Sequence, residues 1–183
     1  MTALQVTVTT ADEARAAVAA GVTTIFAAVG TVSAVPLSEL RAILAVAGER
    51  AEVVAAAGGL ADADLADFAA TGVTALALPV PQGDAGAALV SRIGRSLAAS
   101  VRLVAVFPPE AGPDFELLPV AAIAGFSGVW LSASEATDGL IKTIKLADIA
   151  RFIASARRSK LTVGVSGGLR VVDVGTLLLL RPD

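Results

Sequence analysis

Three chemistries stay open to this sequence: an imine-forming amine, a paired carboxylate acid and base, and a loop of backbone amides that cradles phosphate. Cysteine, histidine and tyrosine are all absent. That removes thiolate nucleophiles, imidazole bases and the ligands that zinc and copper prefer. Three lysines remain, Lys142, Lys145 and Lys160. Lys142 and Lys145 follow an apolar run at residues 128–131. Long side chains there can reach inward, and an apolar surrounding lowers an ammonium's pKa toward the neutrality that imine formation requires. Read more plainly, both are solvated charges ahead of a helix that starts at Leu146. Glu135 and Asp138 share that segment with Ser132, Ser134 and Thr137, and can divide acid and base roles if burial raises one pKa. The plainer reading makes Asp138-Gly139 a turn. Ser166, Gly167, Gly168 and Leu169 follow another apolar run, where a small turn lets amides approach a phosphate. A strand-to-helix turn that needs glycine for its dihedrals explains the same residues. No cofactor and no metal is expected.

The elements that must position these groups follow from periodicity. Short runs rich in Val, Ile and Leu stand at residues 4–8, 23–27, 52–56, 74–78, 102–107, 128–131 and 161–165. Helical segments alternate with them, the signature of repeated βα units. Thr10 can cap a helix that opens Ala11-Asp12-Glu13 and closes at Gly21, and a second follows Pro36 and ends near Gly48. Others are expected at residues 62–70, 86–98, 115–124, 146–159 and 171–180. In the sixth, Leu146, Ile149, Ala150, Ile153 and Ala154 make the apolar face, leaving Asp148, Arg151 and Arg158 to solvent. No two runs are joined by a tight hairpin, so the sheet should be parallel. A dinucleotide-type glycine fingerprint is missing after the first run, where Thr9-Thr10-Ala11-Asp12 stands. The reading is therefore a single domain over residues 1–183, a (β/α)8 barrel with seven βα units and without its last strand. Lys160, before the seventh strand, falls on the wrong face of such a barrel. Unpaired edges on the first and seventh strands would invite association.

Composition narrows the class further. The chain is 55% hydrophobic but 4% aromatic, which suits parallel strands covered on both sides by helices. No stretch approaches the roughly 20 apolar residues of a membrane span. A formal net charge of -3 offers no basic patch for nucleic acid. The Met1 end runs directly into Leu4-Gln5-Val6 without a signal-peptide pattern, so a cytoplasmic protein is expected.

Residues 103–107, 125–131 and 163–170, with 180–183 and more weakly 11–14 and 19–21, resemble the (5-formylfuran-3-yl)methyl phosphate synthases of methanofuran biosynthesis. A phosphoribosylanthranilate isomerase barrel shares the glycine-rich turn but fits the fifth and sixth strands less well. The resemblance implies a (β/α)8 barrel that joins two glyceraldehyde 3-phosphate molecules through a lysine imine, because an iminium acidifies the neighbouring carbon for attack on a second aldehyde. It also implies where the catalysts should stand. The family's Asp-x-Lys after the second strand reads Phe26-Ala27-Ala28 here, the Asp after the third reads Gly59, and the Lys of the fourth reads Ala77. Its Asp-Thr-Ala-x-Lys after the sixth reads Ser132-Ala133-Ser134-Glu135-Ala136, and its Ala-Gly-Ser reads Ser166-Gly167-Gly168.

The resemblance thus implies a catalytically degenerate homologue, with no catalytic residue retained, acting as scaffold or partner subunit in a methanofuran-like one-carbon pathway. Two alternatives stand beside it: an active lyase with its amine relocated to Lys142 or Lys145, and a non-catalytic module that holds a phosphorylated small molecule at residues 166–169. A homo-oligomer, or a hetero-oligomer with an active paralogue, is the expected assembly.

Overall fold

The computed structural model describes residues 2–134 and 139–183. The chain divides into two compact units, one of residues 3–78 with 99–102, the other of residues 79–98 and 103–183 with Thr2.

In the first unit β1 (Val6–Val8), α1 (Ala11–Ala19), β2 (Thr24–Ala27), α2 (Leu37–Ala47), β3 (Glu52–Ala56), α3 (Asp62–Ala69) and β4 (Ala75–Pro79) alternate as expected. The three strand pairings are parallel, with Val8 opposite Ala27, Ala27 opposite Ala55, and Ala56 opposite Ala77. Residues 53–57 and 75–78 are buried without interruption, so these strands are covered on both faces and carry no polar alternation. Thr10 caps α1: its hydroxyl accepts from the Glu13 amide at 3.3 Å, and the Glu13 carboxylate accepts in return from the Thr10 amide at 3.3 Å. Glu39 of α2 adds a second carboxylate, accepting from the Ala11 amide at 2.6 Å. Two acidic groups thus sit on the positive end of one helix dipole.

In the second unit come α4 (Gly83–Leu97), β5 (Arg102–Phe107), a 3-10 turn (Pro109–Ala111), α5 (Leu117–Ile123), β6 (Gly128–Ser132), α6 (Leu140–Thr143), α7 (Leu146–Arg158), β7 (Thr162–Ser166) and α8 (Val171–Leu180). Parallel register sets Val106 beside Trp130 and Trp130 beside Gly164, with Phe107, Leu131 and Val165 one residue on. The Phe107 ring meets the Phe152 ring of α7 edge-on at 6.1 Å, which fixes that row as the helix-covered face. Val106, Trp130 and Gly164 therefore occupy the opposite face. Helices α4 and α5 touch at Gly94, where any Cβ would fall 2.1 Å from the Ala124 carbonyl oxygen.

Several expected boundaries shift for identifiable reasons. Helix α4 begins at Gly83 rather than residue 86, because the Asp114 carboxylate accepts from the Gly83 amide at 2.9 Å and Gly83 takes φ +65°. Helix α5 begins at Leu117; just ahead of it the Asp114 carboxylate accepts from the Glu116 amide at 3.1 Å, and the Phe115 ring lies under the Arg151 guanidinium, 4.1 Å from its centroid. The buried face of α7 is Ile149, Phe152, Ile153 and Ala156, whereas Leu146 is 40% exposed and Ala154 faces solvent. Pattern alone placed that stripe about one residue off, and Phe152 decides it by packing on Phe107. Neither the 3-10 turn nor α6 was expected. After α8 the chain returns to β7, where the Asp183 amide donates to the Val163 carbonyl at 2.9 Å and the Asp183 carboxylate accepts from the Val163 amide at 2.9 Å. No eighth strand follows among the described residues.

Candidate functional site

The strand ends of the first unit form a row of methyl groups. Ala56 and Ala77 are register partners, and extending the β2–β3 register by one residue sets Ala28 level with them. Ala28, Ala56 and Ala77 are each 0% exposed. Ala28 is held by the end of β1 and the residue after it: its amide donates to the Val8 carbonyl at 3.1 Å, and its carbonyl accepts from the Thr9 hydroxyl at 3.1 Å. Phe26, two residues earlier on the same face, is also buried. The segment after β2 folds back over β3, with the Gly58 amide donating to the Val32 carbonyl at 2.9 Å and the Ala34 amide to the Gly58 carbonyl at 3.1 Å. Gly59 follows in the open at φ +84°.

In the second unit the strand ends carry hydroxyls instead. The Ser166 hydroxyl donates to the Ser132 hydroxyl at 2.8 Å, and the Ala133 amide donates to the Ser166 carbonyl at 3.1 Å. Below them the Trp130 indole lies across Gly164, where a Cβ would stand 2.4 Å from Cδ1 and 2.7 Å from Nε1. Only glycine leaves room for that ring. Glu110 comes from the 3-10 turn and accepts from the Ser134 amide at 3.0 Å. Burial pushes its carboxyl up, but hydrogen bonds from the Ser134 amide, its own amide and the Ser134 hydroxyl outweigh this and hold it below the ordinary range.

The turn after β7 is packed as well as bent. Gly167 and Gly168 take φ +100° and +59°, and a Cβ on Gly167 would lie 2.4 Å from the Ala133 carbonyl oxygen. The Gly167 carbonyl accepts from the Leu140 amide at 2.9 Å, which ties the turn to α6. At the start of α8 the Asp173 carboxylate accepts from the Arg170 amide at 2.9 Å and from Arg170 Nε and Nη2 at 3.0 Å each. The Arg170 side chain and amide, and the nearby positive charge of Lys142, hold Asp173 below the usual aspartate range. The Asp173 side chain is 10% exposed because its own guanidinium partner covers it, not because it enters the core. An internal carboxylate thus already stands where a phosphate would meet the first turn of α8.

The expected residues separate accordingly. Ser132 and Ser166 come together, with Gly167, Gly168 and Leu169 immediately after them. Lys142 lies on α6 and Lys145 just before α7, both exposed to solvent. Lys160 closes α7 at the opposite end of β7, at φ +60°. Glu135, Ala136, Thr137 and Asp138 lie outside the described residues. The Arg170–Asp173 pair and the Glu110–Ser134 bond were not anticipated. Arg-x-x-Asp opening an apolar run was the available signal for the first, and nothing local marks the second. Among the described residues no three metal-ligating side chains converge, and no helix is long and apolar enough to cross a membrane. Surface depressions of about 710 Å³ beside α4, lined by Pro81, Leu89 and Arg95, and about 380 Å³ between α2 and α3, lined by Pro36, Leu60 and Phe68, include none of the expected site residues.

Comparison with known proteins supplies the context. The family model described as 4-HFC-P synthase matches residues 4–183. A search of curated proteins finds no match. An HpcH/HpaI aldolase from Desulfitobacterium hafniense DCB-2 superposes with TM-score 0.72 at 13% identity, over 97% of this chain and 83% of its own. A dihydrodipicolinate synthase from Bacillus clausii gives 0.66 at 15% identity, over 98% and 74%. A 3-hexulose-6-phosphate synthase gives 0.65 at 18%, over 100% and 87%. Likenesses at such low identity show the fold alone: the α/β class of the (β/α)8 barrel, here with seven βα units.

Proposed function

The chain belongs to the 4-HFC-P synthase family, and from that premise we propose that it is a catalytically silent member, serving in the cytoplasm as a scaffold or partner subunit. The alanine row carries the reading. Imine chemistry on two aldehyde phosphates needs an amine whose nitrogen reaches the substrate carbon. Ala28 and Ala77, the positions that family resemblance gives to lysine, present fully buried methyls side by side around Ala56. Lys142 and Lys145 do not replace them, since both are exposed and Lys142 stands close enough to Asp173 to act on its ionisation. Borohydride added to the protein with glyceraldehyde 3-phosphate tests this directly. The expected result is no reduced adduct by intact mass; an adduct mapped to Lys142 or Lys145 would overturn silence and establish the relocated lyase.

We propose one further role for the turn at residues 166–169, the holding of a phosphorylated small molecule without turnover. Arg170 and the first turn of α8 offer positive potential there, although Asp173 already occupies it. Thermal melting with inorganic phosphate and with glyceraldehyde 3-phosphate measures what remains. A ligand present at about 100 times its Kd adds about 2.7 kcal/mol. A rise that Gly168→Ala removes would support the site, and no rise at millimolar ligand would leave the scaffold alone.

A further inference from the structure

Helix α8 exposes an apolar face that nothing in its own unit covers. Val171 is 91% exposed, Val172 74%, Leu178 48% and Leu179 81%. With Gly175 between them, these residues follow the i, i+1, i+4, i+7, i+8 spacing of one helix face. Only Asp173 and Leu177 of this helix are buried. Beside Gly175 the surface is open, since a Cβ there would meet no atom within 4 Å. The stripe carries no charge; the acidic group of α8, Asp173, lies off it and is neutralised by Arg170.

From this we propose that α8 is the interface of a symmetric homodimer, pairing antiparallel with α8 of a second copy about a twofold axis at Gly175. Area supports the self-pairing. Four large aliphatic side chains this exposed amount to on the order of 500 Å² of contiguous apolar surface, near the upper end of what monomers leave to water. Burying the same patch on both copies removes about 1,000 Å², the threshold for a specific interface. In antiparallel order Val171 and Val172 of one copy meet Leu178 and Leu179 of the other, large against medium, while Gly175 lets the axes approach to about 8 Å. A charge-free, self-complementary stripe suits an isologous contact, in which no like charges oppose across the axis. A lipid surface suits it less, because membrane-lying helices flank their apolar face with several free cations.

Sedimentation velocity on the full chain down to about 1 µM is the test, a range that resolves micromolar dimers. The expected result is a dimer, with Leu179→Glu raising the dissociation constant about a hundredfold and leaving far-ultraviolet dichroism unchanged. Because the chain has no cysteine, Gly175→Cys should form an intermolecular disulfide on mild oxidation, and Ala154→Cys on the exposed side of α7 should not. A monomeric wild type, a dimer indifferent to Leu179→Glu, or binding of zwitterionic phosphatidylcholine vesicles in place of self-association would each overturn the proposal.

Discussion

The hydroxyls of Ser166 and Ser132 are hydrogen-bonded at 2.8 Å across adjacent parallel strands, 34 residues apart in the chain. Ser132 is 6% exposed, so its oxygen depends on that partner and not on water. Ser166→Ala should therefore cost about 1–2 kcal/mol, the penalty of leaving a buried hydroxyl unpaired, and Ser132→Ala a similar amount. The double variant should cost about 1 kcal/mol less than the sum. Urea unfolding of the four proteins measures the coupling; strict additivity would mean the pair contributes nothing.

Gly164→Ala places a methyl group against the only tryptophan of the chain. The indole must leave β7, at an overpacking cost of about 1–3 kcal/mol. Since Trp130 is the sole indole, fluorescence reports on the surroundings of this ring. A shift in the emission maximum, together with a lower urea midpoint, is expected.

Ala77→Lys restores an amine at a fully buried point. Burial disfavours the ammonium, so the folded pKa falls, by up to about 3–5 units, below its unfolded value. The sign follows: the unfolded chain binds the extra proton at neutral pH, so the variant's deficit against wild type is largest below the folded pKa and shrinks as pH rises toward about 10. Melting temperatures of the two proteins between pH 6 and 10 compare them. A deficit that stays constant would mean the amine escapes to solvent. The same variant should give a borohydride adduct with glyceraldehyde 3-phosphate where wild type gives none.

Asp173 makes the first turn of α8 acid-sensitive. Its folded pKa is depressed, chiefly by the Arg170 side chain and amide. The stabilisation is complete above the ordinary aspartate value of about 3.9 and is lost as pH falls through the lower folded value. Glu110, also depressed, fades in the same direction. Asp173→Asn should be less stable than wild type at neutral pH and converge with it toward pH 2. Amide exchange at residues 171–173 should follow the same course.

How much of this was legible in the sequence varies by residue. Thr10 announced itself as the cap of α1 because the amide it accepts from, that of Glu13, lies within one turn, while the return bond from the Glu13 carboxylate was added by the structure. Glu39, which caps the same helix from α2, did not, being 28 residues away from Ala11. Ser132 and Ser166 were each singled out, one for its place after a strand and one for its glycine neighbours, but not as partners. In α7 the period was readable and its phase was not, since Leu146 and Phe152 are equally apolar and only contact with Phe107 chooses between them.

The sequence by itself determined the order of the strands and the main helices, the Thr10 cap of α1 and the types of side chain available for chemistry, the cap being set by interactions within a few residues. It also fixed the shortage of amines, which no folding can supply. Tertiary structure alone decided that Ala28, Ala56 and Ala77 lie abreast, that two serine hydroxyls meet, and that Glu39 reaches the first turn of α1. Those outcomes depend on strand register and side-chain packing across long loops, where the free energy belongs to the assembled sheet and to no segment of the chain.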